Sequence, residues 1–351
     1  MARVSIKDIA KVAGVSYSTV SRALNNSPLI SLEVRTRIQA LAQSMGYSPN
    51  ALAQGLLSRR THSIGVIITT VSDRFFVDVL KGVEEVAKAA DIGVFLAISN
   101  NDPDQEIKII ENFNRRRVDG VIVAASRLDS DYANRLEQIH IPIVVVNNQA
   151  EGDYQNLHSI CVDDYAGGRL AMRHLLELGH QRIGYLGMSN RPASNHHRLK
   201  AYLDSLKEKS ITPQASWIYF DQTMNAGDLE GDIKAGQSLA PSLVKGGVTA
   251  IFCYCDSVAI GAIMACRHMG IDIPGEISVV GFDDNDLCEI VYPPLTTVRQ
   301  PKYEMGQTAM HMLLECLTKE AVEDHVVQPT LVIRESTAVK RSVSQSIKSP
   351  V

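Results

Sequence analysis

The chain has 351 residues, 45% of them hydrophobic and 21% charged, with a formal net charge of -4. That length accommodates a small domain plus one or two of ordinary size, and the composition excludes a fibrous or disordered chain. No apolar run approaches the roughly 20 residues needed to span a bilayer, and the start, Met1 to Asp8, lacks the apolar stretch of a signal peptide. A cytoplasmic protein with no membrane partner is therefore expected.

The net charge is unevenly divided. Residues 1–60 carry eight basic and two acidic side chains, whereas the rest carries 27 basic and 37 acidic. A basic head on an acidic body suits a polyanion partner, although a merely solvated basic surface would look the same by charge alone. The six cysteines, Cys161, Cys253, Cys255, Cys266, Cys288 and Cys316, fit a reducing compartment as free thiols. Cys253-Tyr254-Cys255 has no second Cys/His pair at metal-site spacing and lies in an apolar run, so buried thiols and no metal are expected.

The pattern inside the head is more specific than its charge. Ser5 followed by Asp8 makes a capping box with Asp in place of the usual Glu. Ile6, Ile9, Ala10 and Ala13 then recur at helical spacing. Gly14 permits a tight turn, and Val15 can plug the angle between two helices. Ser16 is a good N-cap for a second helix, Tyr17 to Leu24, whose Val20, Ala23 and Leu24 can face inward. Tyr17, Ser18, Ser21, Arg22 and Asn25 are left for the outside. Ser31 caps a third helix through Met45, with Leu32, Ile38, Leu41, Ala42 and Met45 as its core stripe and Gly46 to end it. Two short helices around a glycine turn form a helix-turn-helix, and the hydroxyls, amide and guanidinium on the second suit base edges and phosphates. A helical hairpin with a polar face is the plainer alternative.

Beyond Pro49, Asn50 can cap a short Ala- and Leu-rich turn through Ser58. It is too short to be stable alone, so it is either a linker or a hinge helix that orders on DNA.

From Ser63 onward β-rich runs alternate with helical ones. Strands are expected at Ile64–Thr69, Gly93–Ser99, Gly120–Ala124 and Ile143–Asn147, with helices such as Phe75–Ala90 and Asp104–Arg116 between them. A second series is expected at Ser159–Val162, Arg182–Leu186, Trp217–Phe220, Ala250–Cys255 and Ser278–Phe282. The alternation predicts parallel sheets covered by helices on both faces, and two sets of strands predict two α/β lobes with a cleft between them.

In open α/β sheets ligands bind beyond the carboxyl ends of the strands. Polar and aromatic residues collect there: Asp73, Phe75 and Phe76 after the first strand, Asn147 and Asn148 after the fourth, Arg198 on a helix after Gly187, Asp283 after Phe282, and Gln300 after a late strand. Carboxylate, guanidinium and amides beside aromatic faces suit a neutral polyhydroxylated ligand. Taken singly, each could equally be a turn cap or an internal ion pair. The helix carrying Gly167-Gly168 is read as a packed surface and not as a phosphate loop.

The run Ile6-Lys7-Asp8-Ile9-Ala10, Ala13-Gly14-Val15-Ser16, Thr19-Val20-Ser21-Arg22 resembles the DNA-binding start of the lactose/galactose repressor (LacI/GalR) family. Gly46-Tyr47-Ser48-Pro49-Asn50 with Ala53 and Leu56 is similar to that family's hinge, and the resemblance continues to about residue 337. It implies that Tyr17, Ser18 and Arg22 read bases in the major groove and that Ser16, Thr19, Ser21, Asn25 and Ser31 anchor phosphates. Ala53 and Leu56 would lie on paired hinge helices in the minor groove, Leu56 wedging a base step. It implies a fold of an all-α helix-turn-helix head plus an α/β two-lobed, periplasmic-binding-protein-like sensor built on two doubly wound parallel sheets. The expected division is 1–48 for the head, 49–61 for the hinge, 62–338 for the ligand-binding and dimerisation domain, and 339–351 for a polar tail.

The same resemblance places the strand-end residues above in the family's effector site. Two positions depart from its pattern. Cys255 stands before Asp256 where the family commonly has Asn, and Gln222 stands where a ring commonly stacks on the ligand. Pentoses, hexoses, their phosphates and nucleosides stay open as effectors. The run Phe252 to Asp256, with Pro293 to Thr297 and Gln300 to Glu304, is similar to the nucleoside- and purine-responsive branches. A homodimer on pseudo-palindromic double-stranded operator DNA is implied. The tail lacks the leucine heptads of a tetramerisation coil. No cofactor is implied.

Two rivals remain on sequence grounds. An enzyme on the same scaffold would need a catalytic signature, but there is no Gly-x-Gly-x-x-Gly turn after the first strand, no Walker loop and no nucleophile elbow. His196-His197 have no nearby acid to complete a metal set. A stand-alone solute-binding protein would not need the basic head. The resulting expectation is a non-enzymatic, sequence-specific transcription regulator, repression being the commoner outcome, whose operator affinity a small molecule modulates.

Overall fold

The computed structural model describes residues 4–47, 60–124, 130–148, 154–189, 192–221, 229–318 and 321–340. The chain divides into two compact units, Met1–Thr61 and His62–Val351. The expected hinge positions Ala53 and Leu56, like Gln222, lie outside the described residues.

The first unit holds helices α1 (Ile6–Ala13), α2 (Tyr17–Leu24) and α3 (Leu32–Ser44). Their boundaries follow from local chemistry. Ser5 and Asp8 close a reciprocal capping box at the start of α1, and Gly14 ends it in the left-handed region at φ 67°, where a β-carbon would be strained. Ser16 and Ser31 accept from the backbone N–H three residues on, starting α2 and α3. Ile9, Val20, Ala23, Ile38 and Ala42 form the buried core. The Arg37 guanidinium donates to the Ala13 carbonyl at 3.2 Å, tying α3 to the end of α1.

Leu32 corrects the expected core stripe, because it is 75% exposed. On a 100° per residue helix it stands well off the face of Ile38, whereas Val34, Leu41, Ala42 and Met45 share that face. Val34 supplies the partly buried contact instead.

The second unit contains two six-stranded sheets. The first comprises β1 (Ser63–Ile68), β2 (Gly93–Ile98), β3 (Gly120–Val123), β4 (Ile143–Val146), β5 (Leu157–Val162) and β11 (His325–Val327), in the order β11-β5-β4-β3-β1-β2. The second comprises β6 (Ile183–Met188), β7 (Ile218–Asp221), β8 (Ala250–Cys253), β9 (Ser278–Asp283), β10 (Thr296–Arg299) and β12 (Thr330–Val332), in the order β12-β10-β9-β8-β6-β7. Neighbouring strands are parallel except β12 on β10. Buried runs without alternation, such as all six residues of β1 and of β6, are what a sheet covered on both faces requires.

In the first lobe α4 (Arg74–Ala89) and α11 (Lys302–Thr318) cover one face of the sheet, while α5 (Pro103–Arg115) and α6 (Ser130–Glu137) cover the other. In the second lobe α9 (Leu229–Lys245) pairs with α10 (Asp256–His268), opposite α7 (Asp164–Glu177) and α8 (Pro192–Glu208). Glycines let the helices of two pairs touch backbone to backbone. A β-carbon on Gly82 would stand 2.1 Å from the Tyr303 carbonyl, and one on Gly236 would stand 2.1 Å from that of Val258. Gly167 and Gly168 press against the Phe282 ring and Ala201, so they belong to helix packing.

The lobes are not sequential, which corrects the expected division of the strands. Ser159–Val162, read from sequence as the start of a second series, belongs to the strand Leu157–Val162, which pairs with β4 and β11 and so completes the first sheet. A buried β-branched run looks alike in either sheet, and only pairing assigns it. The chain passes between lobes after β5, again between β10 and α11, and a third time between β11 and β12. Among the described residues no helix is long and apolar enough to cross a membrane.

Candidate nucleic-acid interface and ligand cleft

The head presents its candidate contacts at the start and along the outer face of α2. Tyr17 is 55% exposed, and Ser18, Arg22 and Asn25 are exposed with it. The Ser16 hydroxyl accepts from the Thr19 N–H at 3.1 Å and lies 2.8 Å from both the Ser18 and Thr19 hydroxyls. These hydroxyls gather at a helix N-terminus, where the dipole and unpaired backbone N–H groups favour anions. Ser31 sits in the same way at the start of α3. Ser21 is half-buried, and Asn25 terminates α2.

In the second unit the carboxyl ends of both sheets line one cleft. The first lobe contributes Ser72, Asp73, Arg74, Phe75 and Asn147. The second contributes Arg198, Leu229, Asp232, Tyr254, Cys255, Ser257, Asp283 and Asn285. Asp73 caps α4 by accepting from the Phe75 N–H at 3.0 Å. Asn147 stands just past β4 at φ 61°, a conformation Asn tolerates better than most residues. Among the described residues its side-chain oxygen is buried with no hydrogen-bond partner.

Arg198 organises the second lobe's side. It is 1% exposed. Its Nε donates to Asp164 Oδ1 at 2.8 Å, and one terminal nitrogen donates to the Tyr254 carbonyl at 2.5 Å and lies 4.0 Å from Asp283 Oδ1. The guanidinium stacks 3.5 Å from the Phe282 ring centroid and 4.5 Å from that of Tyr254, so the buried charge is both paired and faced by π systems.

Asp283 is the most constrained residue of the cleft. Its φ is 114°, followed by 51° at Asp284, a stretch of backbone that L-residues adopt only when neighbours enforce it. The Lys302 ammonium does so by donating to the carbonyls of both Asp283 and Asp284. Gln300 donates to Asp283 Oδ1 at 2.6 Å. Burial pushes Asp283 up to about 7, against the pull of Arg198. Burial likewise pushes Asp256 up to about 6, although Thr297 and the Asn285 N–H hydrogen-bond its carboxylate. Asp284 falls below the usual carboxylate range: burial opposes that, but Arg299 and Arg334 more than offset it.

The cleft therefore gathers Asp73, Phe75, Asn147, Arg198, Cys255 and Asp283 of the sequence-derived set. Phe76 is a correction. It is 3% exposed, packs in the lobe core with Val79 and Met305 and is not among the residues that line the cleft. Gln300 supports Asp283 from behind without lining the cleft, and Asn148 is half-buried outside the lining. The β8 reading was two residues too long: the strand stops at Cys253, and Cys255 is the N-cap of α10. Tyr254, Ser257 and Asn285 were missed, although they follow β8 and β9 where the strand-end rule points. Asp232 projects from within α9 and carried no sequence signal.

The Cys255 thiol lies 3.9 Å from an Asp232 oxygen, and burial, then that carboxylate, keeps it protonated. Among the described residues no group of His, Cys, Asp and Glu is placed to hold a metal.

Residues 5–50 match the model of bacterial regulatory proteins of the lacI family, and residues 172–337 match that of periplasmic binding protein-like domains. The chain is 36% identical to the transcriptional regulator GalS of Salmonella typhimurium, over 97% of this chain and 98% of that protein. It is also 36% identical to GalR of Escherichia coli, over 95% and 96%. A lac repressor dimer bound to operator and the anti-inducer ONPF superposes with a TM-score of 0.84 at 26% identity, covering 96% of this chain and 100% of that one.

Proposed function

The chain belongs to the lacI family of bacterial regulatory proteins and is a DNA-binding transcription regulator, not an enzyme; from that premise we propose that it represses its target genes and that a small polyhydroxylated molecule, a sugar or nucleoside, sets its operator affinity from the cleft between the lobes. The observation that carries the effector reading is the buried Asn147 oxygen, without a partner among the described residues, in a cleft lined by both lobes. Buried polar atoms are almost always paired, and a ligand hydroxyl or amino group would pair this one.

On this reading Tyr17, Ser18 and Arg22 contact base edges, while Ser16, Thr19, Ser21, Asn25 and Ser31 hold phosphates. Arg198, Asp283 and Asn147 bond the effector, and Phe75 packs on its C–H face. The effector acts only through unequal affinity for two lobe arrangements, passed to the DNA-binding unit through the hinge segment. A coupling of about 1–3 kcal/mol would change operator affinity roughly 5- to 150-fold.

The functional unit is proposed to be a homodimer, as the lac repressor neighbour is. The edge strand β2 supports this. Its Phe95, Leu96 and Ile98 are 53, 47 and 37% exposed, with Val77 at 41% on α4, an apolar edge that an isolated subunit would leave prone to association. Sedimentation velocity tests that reading, and a monomer at micromolar concentration would remove it.

The deciding experiment is a thermal-shift screen of the full chain against pentoses, hexoses, nucleosides and purines, followed by operator binding with and without any hit. Ligand that binds only the folded state raises the melting temperature. A hit whose shift Asp283→Ala abolishes, and which changes operator affinity, supports the proposal. A hit that leaves operator affinity unchanged overturns the regulatory role of the cleft.

A further inference from the structure

A second groove lies on the α7–α8 side of the second lobe and shares no lining residue with the cleft. Its volume is about 710 Å³, and it is lined by α7, by the end of α8 and by Gln328 and Pro329, between β11 and β12. Leu170 and Leu176 are half-buried in it, and Pro329 is buried beside Gly167. The lining follows α7 from Tyr165 to Glu177, a length of about 18 Å from the rise of a helix.

The rim is charged, and its two sides advance together. Tyr165 donates to Asp204 at 3.1 Å; one turn on, Arg169 donates to Ser205 at 3.1 Å and to Glu208 at 2.5 Å. The next turn brings Arg173 towards Lys209. Arg169 is engaged with Glu208, whereas Arg173 and Lys209 are exposed and neither is ion-paired among the described residues. Glu177, one turn beyond Arg173, is the remaining carboxylate of the lining and is not bonded to it. An apolar trough about three helical turns long suits an amphipathic helix laid along it, and two uncommitted cations at its rim call for carboxylates on that helix.

The chain's own residues 341–351 begin nearby, since the Lys340 N–H donates to the Leu178 carbonyl at 2.9 Å just past α7. They carry Arg341 and Lys348 and no acidic side chain, so they do not answer those cations.

We propose that the α7–α8 groove is a docking site for an acidic amphipathic helical segment of a partner protein, whose apolar row seats on Leu170, Leu176 and Pro329 and whose carboxylates pair with Arg173 and Lys209.

The test uses the full chain and a fluorescein-labelled helical peptide of about 14 residues, long enough to span the groove, with a row of leucines flanked by glutamates. A counterpart carries lysine for every glutamate. In fluorescence anisotropy at constant ionic strength the glutamate peptide should bind roughly tenfold or more tightly than the lysine peptide. Arg173→Glu together with Lys209→Glu should reverse that order, and because both positions are exposed the melting temperature should hardly move. Equal affinity for the two peptides, or an order that the paired variant leaves unchanged, overturns the proposal. A chain ending at Lys340 is measured alongside. Binding of the glutamate peptide to both chains supports the proposal; binding to the shortened chain alone gives the groove to residues 341–351, and binding to neither overturns it as well. Sedimentation velocity gives the last arm: a paired variant whose oligomeric state differs from that of the natural chain makes the groove an interface between copies and overturns the partner-protein assignment.

Discussion

The head and the cleft draw on the same polar vocabulary, serine, asparagine and arginine, but deploy it in opposite environments. In the head these side chains stand outside a small core and are already near solvent. In the cleft Arg198 is 1% exposed, and Asp283 sits on backbone held at φ 114°. A surface group contributes to recognition without much bearing on stability. A buried charge is bound up with both, because removing one partner leaves the other uncompensated. Losing a cleft charge should therefore cost the fold heavily, and losing a head contact should cost it little, most where the contact also caps a helix.

Arg198→Ala tests the strong side of this contrast. It strands Asp164 in the interior and should destabilise the second unit by about 3–5 kcal/mol in urea. A loss under about 1 kcal/mol would mean that water or another cation replaces the guanidinium. Ile38→Ala probes the head's core instead and should cost about 2–5 kcal/mol, seen in the head's signals while effector binding persists. Loss of both together would show that the units do not fold separately.

Asp283 sharpens the comparison through pH. Its folded pKa is raised to about 7 and that of Asp256 to about 6. The folded chain therefore holds protons that the unfolded chain has released, and stability falls as pH rises from about 4 to about 7. His174 and His180 act in the other direction. Burial lowers both, so their contribution is lost as pH falls through the ordinary histidine range. In Asp283→Asn the decline on raising the pH should flatten, whereas the acid-side loss should remain. A mutant whose stability stays parallel to the natural chain from about pH 5 to about pH 8 would show that Asp283 is ionised throughout.

The head's surface should give the smallest stability effects. Ser31→Ala removes the cap of α3 and should cost about 1 kcal/mol. Arg22→Ala should leave stability within about 0.5 kcal/mol while flattening preference at one operator position by about 1–3 kcal/mol in a randomised-site selection. An unchanged preference would take Arg22 out of the base-reading set.

The two regions were also unequally legible in the sequence. The head's helices begin and end on local chemistry, with serine caps at positions 5, 16 and 31 and glycine at 14 and 46, and local chemistry is what a sequence displays. The one misreading there, Leu32, was a matter of helical phase. In the cleft the strand-end rule located Asp73, Asn147 and Asp283, because it depends only on where an apolar run stops. It could not tell Phe75 from Phe76, whose difference is a rotation about the helix axis. Asp232 was invisible because nothing in α9 marks the turn that faces the cleft until α9 is docked on α10. The sheet membership of Leu157–Val162 was equally hidden, since pairing partners are a property of the assembled lobe.

The interleaved path of the chain has a consequence for synthesis. The first lobe is roofed by Lys302–Thr318 and edged by His325–Val327, and the second is closed by Thr330–Val332 and by Ser336, which is bonded to Val279. A nascent chain that has emerged only as far as Arg299 holds most of both lobes but can finish neither. The head, whose three helices and buried core lie within residues 4–47, can close on itself long before. During translation a DNA-binding module would thus exist ahead of the rest of the chain, and the two-lobed unit would mature in a single late event rather than lobe by lobe.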